Sequence, residues 1–481
     1  MSQDILEQFG PLFAPKTVAV VGASTRGTAL PNVFIRRIRE FGYTGEIYPI
    51  HPSAAEIDGL KAYESLGDTP RPIDYAYIAI AAAQVVPLLE AGRGRVRFAQ
   101  VISSGFGEVD EGKALQDALA AAARAGGMRL VGPNCLGIYT PRGHVTFTEA
   151  GPKELGPVGI ICQSGGLGTD IIRRGSARGL KYSGLITVGN CADVAPHELL
   201  QFYLTDPETQ VIGMYIEAAK NGRRLFEILR EARARKPVVI LKGGRTQQGL
   251  LAAASHTGSL AGDDRVWVAL SRQTGCVLVN TLDEFIDTLL IFQSLAPHPQ
   301  HPMQRVVLFG NGGGTSVLAT DCYARLGLDV LPFEHSAINA LAELKLPPGT
   351  SITNPVDCPV GTLRQEDGRV AEKILDTIYE KGSPDALVMH LNLSAFVGRT
   401  SDEVLDNLVQ AALRVQSRHP GRAHFVLVLR SDGDPPLEER KRAFRTTANA
   451  LGIPVYDEMA SAGVALAALA SHERFVHSRN A

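Results

Sequence analysis

His256 stands in a run of small residues, Ala254-Ser255-His256-Thr257-Gly258-Ser259-Leu260-Ala261-Gly262. Imidazole titrates near neutrality, so it can be a nucleophile or a base without an extreme environment. The run follows the apolar stretch 237–241 and the turn Lys242-Gly243-Gly244-Arg245, which reads as a buried strand ending in glycines and releasing a loop. The chain has 12 His, so residue type alone leaves an ordinary surface role open. Glu217 closes a second apolar run, 211–216. A carboxylate there lies at the ligand edge of a parallel sheet, and beside an imidazole it would fix the tautomer and free the other nitrogen to attack. A solvated strand-end glutamate is the alternative. Two glycine turns also follow apolar runs, Gln163-Ser164-Gly165-Gly166 and Asn311-Gly312-Gly313-Gly314. Each opens a helical pattern whose free backbone N–H groups can receive an anion, with the Ser164 hydroxyl helping in the first, and neither needs a lysine.

These groups need strands to hold them. Candidate strands cover 17–22, 46–50, 74–80, 99–103 and 129–132, then 158–162, 184–188, 211–216, 237–241 and 276–279, then 305–310, 385–390, 424–429 and 453–456. Helical stretches separate them, so the pattern predicts α/β units with doubly wound parallel sheets. The segment 293–302 carries Pro297, Pro299 and Pro302, which cannot continue a helix and mark a linker. Met459 to Ala470 reads as a closing helix used for packing.

Composition narrows the classes. With 481 residues, 45% hydrophobic and 20% charged, the chain is long enough for about three domains. Its formal net charge of −2 suggests neither nucleic acid nor an anionic membrane as partner. The start, Met1-Ser2-Gln3-Asp4-Ile5-Leu6-Glu7, lacks a signal pattern and no long apolar run follows, so the expected location is the cytoplasm. The 6 Cys are scattered without a CxxC pair, which predicts reduced, mostly buried thiols and no zinc site. The turn Gly22-Ala23-Ser24-Thr25-Arg26-Gly27 after the first strand could serve a dinucleotide, a phosphate or only the chain's own reversal. It is no P-loop, because Thr28-Ala29 follow where Lys-Ser/Thr would be needed. An NAD-dependent oxidoreductase is disfavoured too, since Tyr48-Pro49-Ile50-His51-Pro52 offers no carboxylate for the ribose.

Ser255-His256-Thr257-Gly258-Ser259-Leu260-Ala261-Gly262 resembles the phosphohistidine loop of the NDP-forming acyl-CoA synthetases, the succinyl-CoA synthetase superfamily. Gly132-Pro133-Asn134-Cys135-Leu136-Gly137, Cys162-Gln163-Ser164-Gly165-Gly166-Leu167-Gly168, Asn311-Gly312-Gly313-Gly314 and Asn354-Pro355-Val356-Asp357 resemble further motifs of that family in the same order, across roughly residues 10–470. The resemblance implies a Rossmann-like CoA-binding domain (1–145), a flavodoxin-like domain with the phosphohistidine loop (150–292), a linker (293–304) and a second flavodoxin-like domain (305–481). It further implies phosphorylation at His256 with Glu217 as its partner, and phosphate held by Ser164, Gly165 and Gly166 and by Gly312, Gly313 and Gly314. Coenzyme A would lie along Gly22, Ser24, Pro49, His51, Ser103, Gly105, Glu108 and Asn134. Relatives carry a lysine shortly after the proline of the second turn, where this chain has Ser53. All sheet units are accounted for without an ATP-grasp module, so ATP, ADP and Mg are expected on a separate ATP-grasp β-type subunit, in a hetero-oligomer that interconverts a carboxylic acid and its acyl-CoA. No metal is expected on this chain. The alternative is a non-catalytic CoA or acyl-CoA binding protein with a regulatory or scaffold role.

Overall fold

β1 (Thr17–Val21) is β-branched at all but one position and buried throughout, as a central parallel strand requires. It follows α1 (Ser2–Phe13) and feeds α2 (Leu30–Phe41), whose Phe34, Ile35 and Ile38 are buried at helical spacing. Next come β2 (Glu46–Ile50), a short hairpin of β3 (Glu56–Ile57) and β4 (Leu60–Lys61), β5 (Ile73–Ile78), α3 (Ala82–Ala91), β6 (Val96–Val101), α4 (Lys113–Ala125) and β7 (Arg129–Val131). The five long strands form a parallel sheet in the order β2-β1-β5-β6-β7. This computed structural model describes residues 2–257, 263–397 and 402–480, in two compact units, 1–285 and 286–481.

The first unit holds a second sheet. Its elements are β8 (Ile138–Tyr139), β9 (Val158–Cys162), α5 (Gly165–Arg178), β10 (Tyr182–Thr187), α6 (Pro196–Thr205), β11 (Val211–Ile216), α7 (Gly222–Ala232), β12 (Val238–Lys242), α8 (Gln247–Thr257), α9 (Asp264–Thr274) and β13 (Val277–Val279). The order is β13-β12-β11-β9-β10-β8, parallel except for β8 against β10. One expectation changes here: the stretch leading to His256 is not a loop but α8. Three consecutive alanines, Ala252 to Ala254, lead into that run, alanine is the best helix former, and the Thr246 hydroxyl accepts the Gly249 N–H at 3.1 Å to start the helix. The side chains of 254–257, with that of His256, and the whole of 258–262 lie outside the described residues.

α10 (Leu282–Ser294) leads into the second unit: β14 (Val306–Gly310), α11 (Gly313–Arg325), α12 (His335–Glu343), β15 (Val356–Asp357), α13 (Val360–Leu363), α14 (Val370–Thr377), β16 (Ala386–Asn392), α15 (Asp402–Arg418), β17 (His424–Arg430), α16 (Pro435–Ala450), β18 (Val455–Tyr456) and α17 (Met459–Asn480). The sheet order is β15-β14-β16-β17-β18, all parallel. α17 runs past the expected Ala470, and its buried Glu473 accepts the His298 and Met303 N–H groups at 2.6 and 2.8 Å. That carboxylate gives the proline-rich segment, which makes no regular ladder, its backbone partners.

Within the first unit α1 packs across both sheets through aromatic rings. Phe13 stacks on Phe202 of α6 at 4.4 Å, and Phe9 sits 5.8 Å from Phe98 of β6. Phe202→Ala is therefore expected to cost about 3–5 kcal/mol in urea unfolding, because it opens a cavity where the two sheets meet. A loss below about 1 kcal/mol would mean that this contact does not join them.

Candidate active site

The C-terminal ends of β1, β2, β6 and β7 release Gly22, His51, Ser103 with Gly105, and Asn134, so these candidate CoA contacts share one sheet edge. Such an edge is where ligands of parallel sheets bind. Gly22 is at φ +97, and a Cβ there would stand 2.3 Å from the Ala79 carbonyl, so only glycine makes this turn. Asn32, fully buried on α2, clasps the next residue: its Oδ1 accepts the Ser24 N–H at 2.8 Å and its Nδ2 donates to the Ser24 carbonyl at 3.0 Å. Pro49 lies inside β2, and His51 Nδ1 accepts the N–H groups of Ser53 and Ala54 at 3.2 and 2.9 Å. Nδ1 is thus an acceptor, which leaves Nε2 as the imidazole's other hydrogen-bonding atom.

Glu108 is turned inward. Its carboxylate accepts the Gly105 and Phe106 N–H groups and, at 2.6 Å, the Asn190 side-chain amide. It therefore shapes the Gly105 turn and ties it to the second sheet.

At the end of β9 the second sheet presents α5. Ser164 is the N-cap, with Oγ accepting the Leu167 N–H at 3.3 Å, so its hydroxyl is committed to the helix. A Cβ on Gly166 would meet nothing within 4 Å, whereas one on Gly165 would lie 2.7 Å from Leu136 Cγ. The helix start is open on one side and closely packed on the other. Asn134, Leu136, Ser164, Gly165, Gly166 and Asn190 line one cavity of about 270 Å³, together with Ile102, Cys135, Gln163 and Gly189. The expected CoA edge and the expected phosphate helix thus share a chamber. Gln163, Gly189 and Asn190 were not foreseen as site residues; only the polar tail of the strand-end motif hinted at the first.

Gln163 links this chamber to Glu217. Its Oε1 accepts the N–H groups of Glu217 and Ala218, and its Nε2 donates to the Ala218 carbonyl at 3.2 Å. Glu217 is buried, takes the Tyr215 hydroxyl at 3.0 Å, and offers its carbonyl to Lys242 Nζ at 2.8 Å. Burial above all, and then the neighbouring Glu217 charge, push the Tyr215 phenol well up, so it stays a proton donor. Lys242 has its pKa drawn down by burial, against the pull of Glu217. Beyond Glu217 a mainly apolar hollow of about 530 Å³ is lined by Leu225, Phe226, Trp267 and Leu270.

In the second unit, α11 begins at the expected glycines, but its first N–H is occupied. The Gly312 N–H donates to Asp357 Oδ1 at 2.9 Å, and a Cβ on Gly313 would stand 2.9 Å from Oδ2. Gly314 faces open space, and Thr315 accepts Arg430 Nη1 at 2.8 Å. Asp357 belongs to the Asn354-Pro355-Val356-Asp357 motif, whose Asn354 is a second buried clasp, accepting the Leu308 N–H at 3.0 Å. Of the 6 Cys, five are buried and Cys322 is partly exposed; burial pushes Cys135 and Cys162 up to about 12, so neither is a thiolate.

Residues 16–141 match the CoA binding domain family, and residues 155–292 match the succinyl-CoA ligase like flavodoxin domain. The chain is 36% identical over 473 residues to the acetate–CoA ligase (ADP-forming) I subunit alpha of Pyrococcus furiosus, spanning 95% of this chain and 96% of that one. It is 32% identical over 459 residues to the II subunit alpha of the same organism, spanning 94% and 96%. An ADP-forming acetate–CoA ligase of Methanocaldococcus jannaschii is 34% identical over 346 residues, but the match covers only 48% of that longer protein. A solved structure described as a dinucleotide forming acetyl-coenzyme A synthetase 1 of Ca. Korarchaeum cryptofilum, in complex with phosphate and ADP, superposes with a TM-score of 0.83 at 29% identity over 98% of both chains. This chain belongs to the ADP-forming acyl-CoA ligases, as an alpha-type subunit. It is an acid–CoA ligase with a CoA-binding domain, and no described helix is long and apolar enough to cross a membrane.

The Glu108 clasp makes a pH prediction. Burial raises its pKa, but the hydrogen bonds from Asn190 and Gly105 outweigh burial and hold it below the ordinary 4.5. Its contribution to stability is therefore full above that value and lost as the pH falls through the lower folded value. Urea midpoints between about pH 6 and about pH 3 are expected to fall less steeply for Glu108→Gln than for the wild type. Parallel curves would show that the clasp carries no charge-dependent stability.

Proposed function

We propose that this subunit carries the phosphohistidine at His256 and hosts the acyl and thioester steps, while ATP, ADP and Mg are bound by a separate ATP-grasp β-type subunit in a hetero-oligomer. The observation that carries the reading is the single cavity lined both by Asn134, from the CoA edge, and by the Ser164–Gly166 helix start. CoA lies along Gly22, Ser24, Pro49, His51, Ser103 and Gly105, with Glu108 holding the Gly105 turn. An imidazole nitrogen of His256 takes the terminal phosphoryl group of ATP and ADP leaves. A carboxylate oxygen of the acid then takes that group from the histidine, giving an acyl phosphate. The CoA sulfur attacks the acyl carbon, phosphate departs, and the thiol proton passes to solvent. Glu217 orients the ring and stabilises its charge. The N–H groups of α5 stabilise the phosphoryl oxygens with no mobile counter-ion, and in the second unit Gly313 and Gly314 open a helix start of the same anion-binding kind, beside the N–H of Gly312 that Asp357 occupies. The cytoplasm is the proposed location.

Reversal of the last two steps needs no nucleotide partner. Incubated with labelled phosphate and a panel of acyl-CoAs, the wild-type chain is expected to acquire acid-labile, base-stable label at His256. His256→Asn should acquire none, yet bind CoA with unchanged affinity by calorimetry. Equal labelling of the two chains would remove His256 from the mechanism.

A further inference from the structure

The proline-rich segment between α10 and β14 is held by one carboxylate. Glu473 of α17 is fully buried; its oxygens accept the His298 and Met303 N–H groups at 2.6 and 2.8 Å and meet His424 Nε2 at 2.7 Å. Burial raises its pKa, but the hydrogen bonds from His424 and the two amides outweigh burial and hold it below the ordinary 4.5, so the carboxylate stays ionised. No lysine or arginine is among these partners, and an interior carboxylate without a cation is costly. His424, the first residue of β17, is buried, and the half-buried His298 lays its ring over the His424 ring at 4.3 Å. One ligand atom from each of His298, His424 and Glu473 lies within 4.8 Å of the other two.

We propose that His298, His424 and Glu473 form a site for one divalent transition-metal ion of the zinc class, which pins the proline-rich segment to β17 and α17. The site runs against the expectation that this chain carries no metal, and it stands apart from the reaction proposed above. No CxxC-like spacing announces it, since His298 and Glu473 are 175 positions apart. Two imidazoles and a carboxylate suit zinc, cobalt or nickel, whereas magnesium prefers oxygen ligands alone. The ion takes the place of the proton that His424 Nε2 donates to Glu473 Oε1, and that proton leaves to solvent. His298 has to turn about its own side chain to reach the ion, because two nearly parallel rings do not aim their lone pairs at one point; a half-buried histidine has room to do so. His298 and His424 also line a cavity of about 420 Å³ with His301, Asp385 and Arg422, from which water completes the coordination. The Arg422 charge disfavours a cation in the open part of that cavity and leaves the buried end, against Glu473, as its place.

The test uses the untagged chain, stripped with a chelator, then titrated with Zn2+ by calorimetry and with Co2+ by absorption, in the wild type, His298→Gln, His298→Cys and His301→Gln. Each substitution at 298 keeps the backbone N–H that Glu473 accepts, so the segment retains its anchor. The wild type is expected to take up one Zn2+ per chain and to melt at a higher temperature with it, and millimolar Mg2+ should not displace it. His298→Gln should weaken uptake about tenfold or more and lose the thermal shift, whereas the exposed His301→Gln should leave both unchanged. His298→Cys should bind Co2+ with a sulfur-to-metal charge-transfer band, which only coordination at position 298 produces. No saturable uptake by the wild type, equal affinity in the wild type and His298→Gln, or Co2+ bound by His298→Cys without that band would overturn the site. Ready displacement by Mg2+, or a loss confined to His301→Gln, would overturn it as well.

Discussion

The cavity at the start of α5 exists because two loops from different sheets are hydrogen-bonded backbone to backbone. Residues 132–137 leave the first sheet, and 187–192 leave β10 of the second. Ala192 N–H reaches the Gly132 carbonyl at 2.9 Å, Asn190 N–H the Pro133 carbonyl at 3.0 Å, and Thr187 N–H the Gly137 carbonyl at 2.9 Å. The approach is so close that a Cβ on Gly189, at φ +48, would lie 2.3 Å from the carbonyls of Pro133 and Asn134. The lining of this cavity is placed by the seam. Asn134 and Leu136 stand on one side of it, Asn190 on the other, and α5 starts across the gap. Because backbone groups make the joint, neither side can shift without leaving buried donors unpaired.

Little side-chain charge is present around the cavity at the start of α5. Among the described residues no lysine or arginine lines the cavity at the start of α5, so the attraction that the proposed phosphate site offers comes from fixed peptide dipoles. A fixed dipole does not have to reorganise when a phosphoryl group is transferred, which is what stabilises a transition state. The polar side chains nearby are largely committed. Ser164 caps its helix, Gln163 binds the backbone at Glu217, and Glu108 holds its own loop. Each therefore positions backbone rather than contributing a free charge.

Much of this was legible in the chain. Buried runs such as 17–21 and 158–162 read as parallel strands because a strand covered on both faces has no polar positions to spare. Gly22 read as part of a turn and Gly166 as a place an anion can approach, and the structure shows a carbonyl against the first and open space at the second. The α8 helix was misjudged because small residues serve loops and helices equally well, and alanine decides only once a helix has somewhere to start. Asp357 at the α11 glycines was not foreseen, since it is 45 positions away and is brought there by the pairing of β14 with β15.

The sequence by itself determined the class of the protein: the alternation of strands and helices, the glycines that must be glycines, and a set of ordered motifs around one histidine. These are local facts, set by steric limits on φ and by hydrophobic periodicity within a few residues. Tertiary structure alone decided which of those motifs share a cavity and that Gln163 couples it to Glu217. Such relations join residues tens of positions apart across a sheet edge, and no local energy encodes them until the strands have paired.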